Sequence, residues 1–119
     1  MPTCLTESVA SVPPATIVLT VSLEAVCPER NHFRAYSMEV GRNLFGGWQV
    51  TIRHGRIGAR GRVIVRCPSS EAETRELVLA LLRKRLQAKK KVGVDYKIRE
   101  YHTDDRWLDW ISKNLDLEP

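Results

Sequence analysis

The stretch Leu44-Phe45-Gly46-Gly47-Trp48-Gln49-Val50-Thr51-Ile52-Arg53-His54-Gly55-Arg56-Ile57-Gly58-Ala59-Arg60-Gly61-Arg62 decides the fold. Trp48, Val50, Ile52 and His54 fall in one phase of a two-residue alternation, and Gln49, Thr51 and Arg53 in the other. That is the pattern of a strand with one buried face. Turn-forming residues flank it. Gly41-Arg42-Asn43 and Gly46-Gly47 bracket a hairpin loop that carries Leu44 and Phe45, and Gly55–Gly61 forms a glycine-rich loop on the other side. A strand entered and left by short loops pairs antiparallel with its sequence neighbours.

Upstream, Ile17, Leu19, Val21, Leu23 and Ala25 alternate with Val18, Thr20, Ser22 and Glu24 in a half-buried strand. A turn over Cys27–Asn31 leads into a second strand, His32–Val40. There Tyr36, Met38 and Val40 hold one phase, Phe33 and Ala35 the other, and the change near Arg34 suggests a bulge or a strand buried on both sides. Downstream, Val63, Val65 and Cys67 alternate with Arg62, Ile64 and Arg66 in a fourth strand that Pro68 ends. Ser70 with Glu73 reads as a capping box. A helix is expected from there to about Lys90, with Leu77, Val78, Leu81, Leu82 and Leu86 on its apolar side and Gly93 as its stop. Val94, Tyr96 and Ile98 read as a short fifth strand. Thr103-Asp104-Asp105 starts a second helix with Trp107, Trp110, Ile111 and Leu115 along one side. The expected class is α+β: an antiparallel sheet with one long helix packed on it and a short C-terminal helix. The expected organisation is a Ser/Thr/Pro-rich arm at 1–14, a domain at 15–101 and a helical tail at 102–119.

Charge is unevenly spread. From Arg53 to Arg99 there are fourteen Lys/Arg against four Asp/Glu, while residues 100–119 hold two against six. A concentrated positive field attracts polyanions. The three cysteines, Cys4, Cys27 and Cys67, are widely spaced and contain no CxxC, which suggests neither a disulfide framework nor a zinc site; reduced thiols in a cytoplasmic protein are expected. The apolar run Ile17–Leu23 is too short to span a membrane and no Lys or Arg precedes it, so neither a membrane segment nor a signal peptide is expected. His32, His54 and His102 lack metal-motif partners, and the chain has no P-loop and no GxSxG. No enzymatic role and no cofactor are expected.

Chemistry gathers in Arg53–Arg62, which has four arginines and three glycines in ten residues. Glycines let a backbone approach a ligand closely, and successive free N–H groups make anion-binding concavities. The planar guanidinium fork matches phosphate oxygens. The plain alternative is a hairpin loop that needs glycine to turn and arginine to stay in water.

Three segments resemble a known family, the WGR domain: Asn31–Val40, Leu44-Phe45-Gly46-Gly47-Trp48, and His54-Gly55-Arg56-Ile57-Gly58 followed by Arg60-Gly61-Arg62. The likeness covers roughly Ile17 to Arg99. It implies a sheet with one helix against it and a nucleic-acid-binding role, since in DNA-dependent poly(ADP-ribose) polymerases this domain grips a DNA end near its 5′ phosphate. By the resemblance, Asn31, His54, Arg56 and Tyr96 take the places of residues that approach the terminal sugar and phosphate, with His54 where the motif tryptophan stands. Trp48, in the apolar phase, is expected to pack in the core.

The site expected from loop chemistry and resemblance together comprises Asn31, Arg53, His54, Gly55, Arg56, Arg60, Arg62, Lys84 and Tyr96. The partner is expected to be DNA, with duplex ends or nicks as the structures gripped and little base specificity. A second reading makes Trp107, Trp110 and Ile111 a patch for a protein partner or a homodimer. It competes with the helix folding back onto the sheet.

Overall fold

The structure is a computed structural model and describes residues 16–86 and 96–115. Its elements are β1 (Ile17–Cys27), a 3-10 turn (Pro28–Arg30), β2 (His32–Arg42), β3 (Trp48–Arg56), β4 (Arg62–Arg66), α1 (Glu71–Leu86), β5 (Lys97–Thr103) and α2 (Asp105–Asn114). The strands form one antiparallel sheet in the order β4-β3-β2-β1-β5. The expected α+β class is what the chain adopts.

The alternation fixes which face is buried. Leu19, Val21, Leu23 and Ala25 of β1, Tyr36, Met38 and Val40 of β2, and Val50 and Ile52 of β3 all lie on one side and are buried. Val78 and Leu82 of α1 and Trp107 and Ile111 of α2 join them in one core. Both helices therefore cover the same face. The other face carries Thr20, Ser22, Ser37, Glu39, Thr51, Arg53 and Glu100 around a shallow polar depression.

The capping residues act with a shift of one position. The Glu73 N–H donates to Ser70 Oγ at 3.1 Å, while the Glu73 carboxylate reaches back to the N–H and hydroxyl of Ser69, at 3.0 and 2.6 Å. Those bonds hold the Glu73 carboxyl below its usual range. At α2, Asp104 accepts from the Trp107 N–H at 2.8 Å.

Several boundaries differ from the sequence expectation. No bulge occurs near Arg34: β1 and β2 pair without a break from Leu19↔Val40 to Cys27↔His32, which leaves Phe33 simply on the polar face. The irregularity in β5 lies between its pairs with Ser22 and Leu23, so Arg99 is the extra residue. β5 itself starts at Lys97 and runs to Thr103, later and longer than Val94–Ile98. The arm at 1–14, the helix end after Leu86 and Val94 lie outside the described residues. Cys27 keeps a free thiol, but Cys67 is disulfide-bonded, contrary to the expectation of reduced cysteines throughout.

α2 is anchored rather than loose. Trp107, 1% exposed, packs 5.9 Å from Trp48 and 5.3 Å from Trp110, and the Arg75 guanidinium stands over both Trp107 and Trp110. Glu71 accepts from the Trp107 indole N–H and from Arg106, each at 3.3 Å, which fastens α2 to the first turn of α1.

Candidate nucleic-acid interface

At one end of the sheet the β1–β2 turn, the β3–β4 loop and the C-terminal turn of α1 come together. Asn31 adopts a left-handed backbone (φ 52), which its short polar side chain tolerates. Its Oδ1 accepts from Arg56 Nη2 at 3.2 Å. The Arg56 guanidinium also lies 5.0 Å from the Phe33 ring centre. The Ile57 N–H donates to Phe33 O and the Ala59 N–H to Arg56 O, so the loop leaves β3 in a fixed direction.

The glycines have a geometric reason at the mouth of this loop. Gly61 has φ +72, and a Cβ there would lie 2.6 Å from the His54 carbonyl oxygen. A Cβ on Gly55 would lie 2.8 Å from Gly61 Cα. The two backbones cross closer than any side chain permits. Gly58, at φ +84, turns the tip in open space.

His54 stands half-buried among cations. Burial lowers its imidazole pKa below the ordinary range, and Arg85, Arg62 and Arg34 lower it further. Neutral imidazole is therefore its form at neutral pH. Arg34 sits in β2 opposite Arg56, Arg62 in β4 opposite His54, and Arg85 in the last turn of α1. None of Arg34, Arg62 and Arg85 forms an ion pair with a described residue.

Beside His54 a cleft of about 270 Å³ opens between α1 and the sheet. Ile52, Ile64, Leu77 and Leu81 give it an aliphatic lining, and Tyr36, His54, Arg66 and Arg85 line it as well. The Arg85 guanidinium lies 4.6 Å from the Tyr36 ring centre. Tyr36 is 1% exposed, and its hydroxyl is buried without a hydrogen-bond partner. Burial pushes that hydroxyl's pKa up, against the opposing pull of Arg85, and Tyr96 lies near enough to add to the rise.

The expected site residues thus divide. Asn31 and Arg56 touch. His54 and Arg62 are paired, and Tyr96 approaches Tyr36 beside them. Gly55 shapes the loop mouth, and Arg60 is exposed in the loop. Lys84 is exposed next to Arg85 on the helix. Arg53 is not part of the group: it is exposed on the open face of the sheet, away from His54. Sequence reasoning missed Arg34, and it reached Arg85 only as one of the cations of the basic helix end Arg83–Lys91. The strand register that sets Arg34 opposite Arg56, and the helical phase that turns Arg85 toward the sheet, are the signals that find them. Trp48 is half-buried against the core, with Arg42 5.0 Å above its ring.

The patch imagined for a protein partner or homodimer is not at the surface. Trp107 and Ile111 are each 1% exposed and belong to the chain's own core, and Trp110 packs against them. The most exposed large apolar residues among those described are Leu44 and Phe45, 69% and 82% exposed, at the opposite end of the sheet, with Val26, Val63 and Leu108 exposed to a lesser degree. Asn43 organises their loop by accepting from the N–H groups of Phe45 and Gly47. Among the described residues there is no helix long and apolar enough to cross a membrane and no group of three or more His, Cys, Asp or Glu placed to hold a metal ion.

A family model described as the WGR domain matches residues 19–97. A protein of Sinorhizobium fredii described as uncharacterized protein y4dW is 34% identical over 85 residues, which are 71% of this chain. The chain spans only 39% of that relative's length. No solved structure matches. The WGR domain is a non-catalytic domain family associated with nucleic-acid binding. The matched segment runs from the first core residue of β1 to the first residue of β5 and takes in the turn His54-Gly55-Arg56, and the chain belongs to the WGR-domain family.

Proposed function

We propose that this chain is a non-catalytic DNA-binding module that grips backbone phosphates at a duplex end or nick with the loop of β3–β4 and the end of α1. One observation carries the reading: arginines from β2, β4 and α1 converge on His54, and no carboxylate among the described residues forms an ion pair with them. Like charges brought together at the end of a fold raise the local potential and need an anion to relieve it. Arg56 stands beside them, oriented by Asn31 and Phe33. Guanidinium forks at this density match the phosphate oxygens of a polyanion. Contacts to backbone phosphates position a duplex without reading its bases, so little sequence preference is expected.

The test is an anisotropy titration on two duplexes of one sequence, one intact and one bearing a nick or a recessed 5′ phosphate. Tighter binding to the interrupted duplex is the expected result. Absence of binding at micromolar protein in low salt overturns the proposal, and equal affinity for both duplexes removes the end preference.

A further inference from the structure

The cleft beside His54 has a composition that phosphate gripping does not use. Ile52, Ile64, Leu77 and Leu81 give it an aliphatic lining. A buried tyrosine hydroxyl without a partner borders it, and two guanidiniums, of Arg66 and Arg85, line it together with a neutral imidazole. An unsatisfied buried hydroxyl destabilises the free protein, and a ligand that pairs it recovers that loss. The space equals about nine waters at ~30 Å³ each, small for a ligand pocket and suited to a single flat ring system.

A group that fits must be flat and apolar on its faces, polar along an edge to meet Tyr36, and joined within one sugar length to an anion for Arg85. We propose that the cleft receives one unpaired nucleobase of a nucleoside 5′-monophosphate unit, its edge on the Tyr36 hydroxyl and its phosphate on Arg85. This deepens the DNA-binding reading and rests on it for the source of the nucleotide: an unpaired terminal base of a strand rather than a free mononucleotide. Aliphatic side chains such as Leu77 and Leu81 hold a base by apolar contact, which a grip on backbone phosphates does not need.

The test has two arms. In the first, methyl NMR of the full chain follows Ile52, Ile64, Leu77 and Leu81 during titration with thymidine 5′-monophosphate, adenosine 5′-monophosphate or inorganic phosphate. In the second, a duplex with a single unpaired 5′ 2-aminopurine is compared with the same duplex fully paired. The expected result is that nucleotides shift the cleft methyls, phosphate alone does not, and 2-aminopurine fluorescence changes on binding only when the base is unpaired. Tyr36→Phe is expected to weaken nucleotide binding about 3- to 10-fold, the effect of one hydrogen bond, while affinity for the fully paired duplex and the melting temperature do not fall. Leu81→Trp fills the cleft and is expected to abolish the methyl shifts.

Cleft methyls unmoved by millimolar nucleotide together with an unchanged 2-aminopurine signal overturn the inference, even if duplex binding is strong. Methyls that respond equally to phosphate alone overturn it too, because the cleft then senses only charge. Duplexes that do not bind at all, with methyls that still respond to nucleotides, sink the DNA reading and leave a free mononucleotide as the occupant.

Discussion

Arg56 is held on two sides, by the Asn31 carbonyl oxygen of its side chain and by the Phe33 ring, so its fork reaches the loop surface already oriented. A side chain ordered beforehand loses less entropy on binding than a free one. Arg56→Ala is expected to cost about 1–3 kcal/mol of DNA affinity, the range for a charge-assisted hydrogen bond, without unfolding the protein. Anisotropy and a thermal melt on the same sample separate the two effects; unchanged affinity would reduce the loop to a turn. His54 carries a different expectation. Burial first, then Arg85, Arg62 and Arg34, keep its imidazole neutral in the free protein. A phosphate placed against it favours the charged form and raises the pKa in the complex. Binding then takes up a proton, so affinity rises as pH falls from 7.5 to 5.5, across the ordinary histidine range near ~6.5. His54→Gln is expected to flatten that profile. The same depressed pKa makes the unfolded chain the better proton acceptor, so the His54 contribution to stability is present above the unfolded histidine pKa and is lost as pH falls from there through the lower folded-state pKa.

At the scale of elements, the β3–β4 loop depends on its crossing glycines. Gly61→Ala forces a side chain into a left-handed backbone and to within 2.6 Å of the His54 carbonyl, and is expected to cost about 2–3 kcal/mol by chemical denaturation. Gly58→Ala meets open space and pays only the conformational term, about 1 kcal/mol. α2 offers the second test. Trp107 fills the space between Trp48, Trp110 and Arg75, so Trp107→Ala is expected to cost about 3–5 kcal/mol. These elements were not equally legible in the sequence. Alternation in Leu19–Ala25 and Tyr36–Val40 reads directly, because each strand keeps one apolar phase. Lys97–Thr103 hides its strand: Ile98 and Tyr101 face the core three residues apart, since Arg99 is inserted between the pairs. For α2 the sequence left open whether its tryptophans face the core or a partner, because a two-residue or four-residue repeat says which side is apolar and not what covers it.

At the scale of the whole molecule, the densest positive charge and the two most exposed apolar side chains among the described residues sit at opposite ends of the sheet. Arg34, Arg56, Arg60, Arg62, Lys84 and Arg85 gather at the loop end, while Leu44 and Phe45 stand in the β2–β3 hairpin loop at the other. Part of this was legible as the basic run from Arg53 to Arg99. The run also includes Arg53, which the pleat sends to the far face, and omits Arg34, which the register brings in. If the basic end binds phosphates, log affinity falls linearly with log salt at about 0.9 per phosphate contacted. Arg60→Ala is expected to lower that slope by about one unit and leave the melting temperature unchanged, as measured by titrations at several ionic strengths.

The sheet order places the earliest strand beside the latest. β1 must wait for β5, some eighty positions downstream, before its second edge is paired, and the Val18 carbonyl then accepts from both the Asp104 N–H and the Thr103 hydroxyl. The meander of β1 to β4 closes short loops and can assemble first, whereas the β1–β5 ladder closes a long one and is slow. A growing chain on the ribosome therefore carries β1 with its outer edge unpaired, and part of the apolar face uncovered, until β5 and α2 emerge. The order of synthesis, rather than the strength of any contact, sets when this protein first becomes safe from sticking to its neighbours.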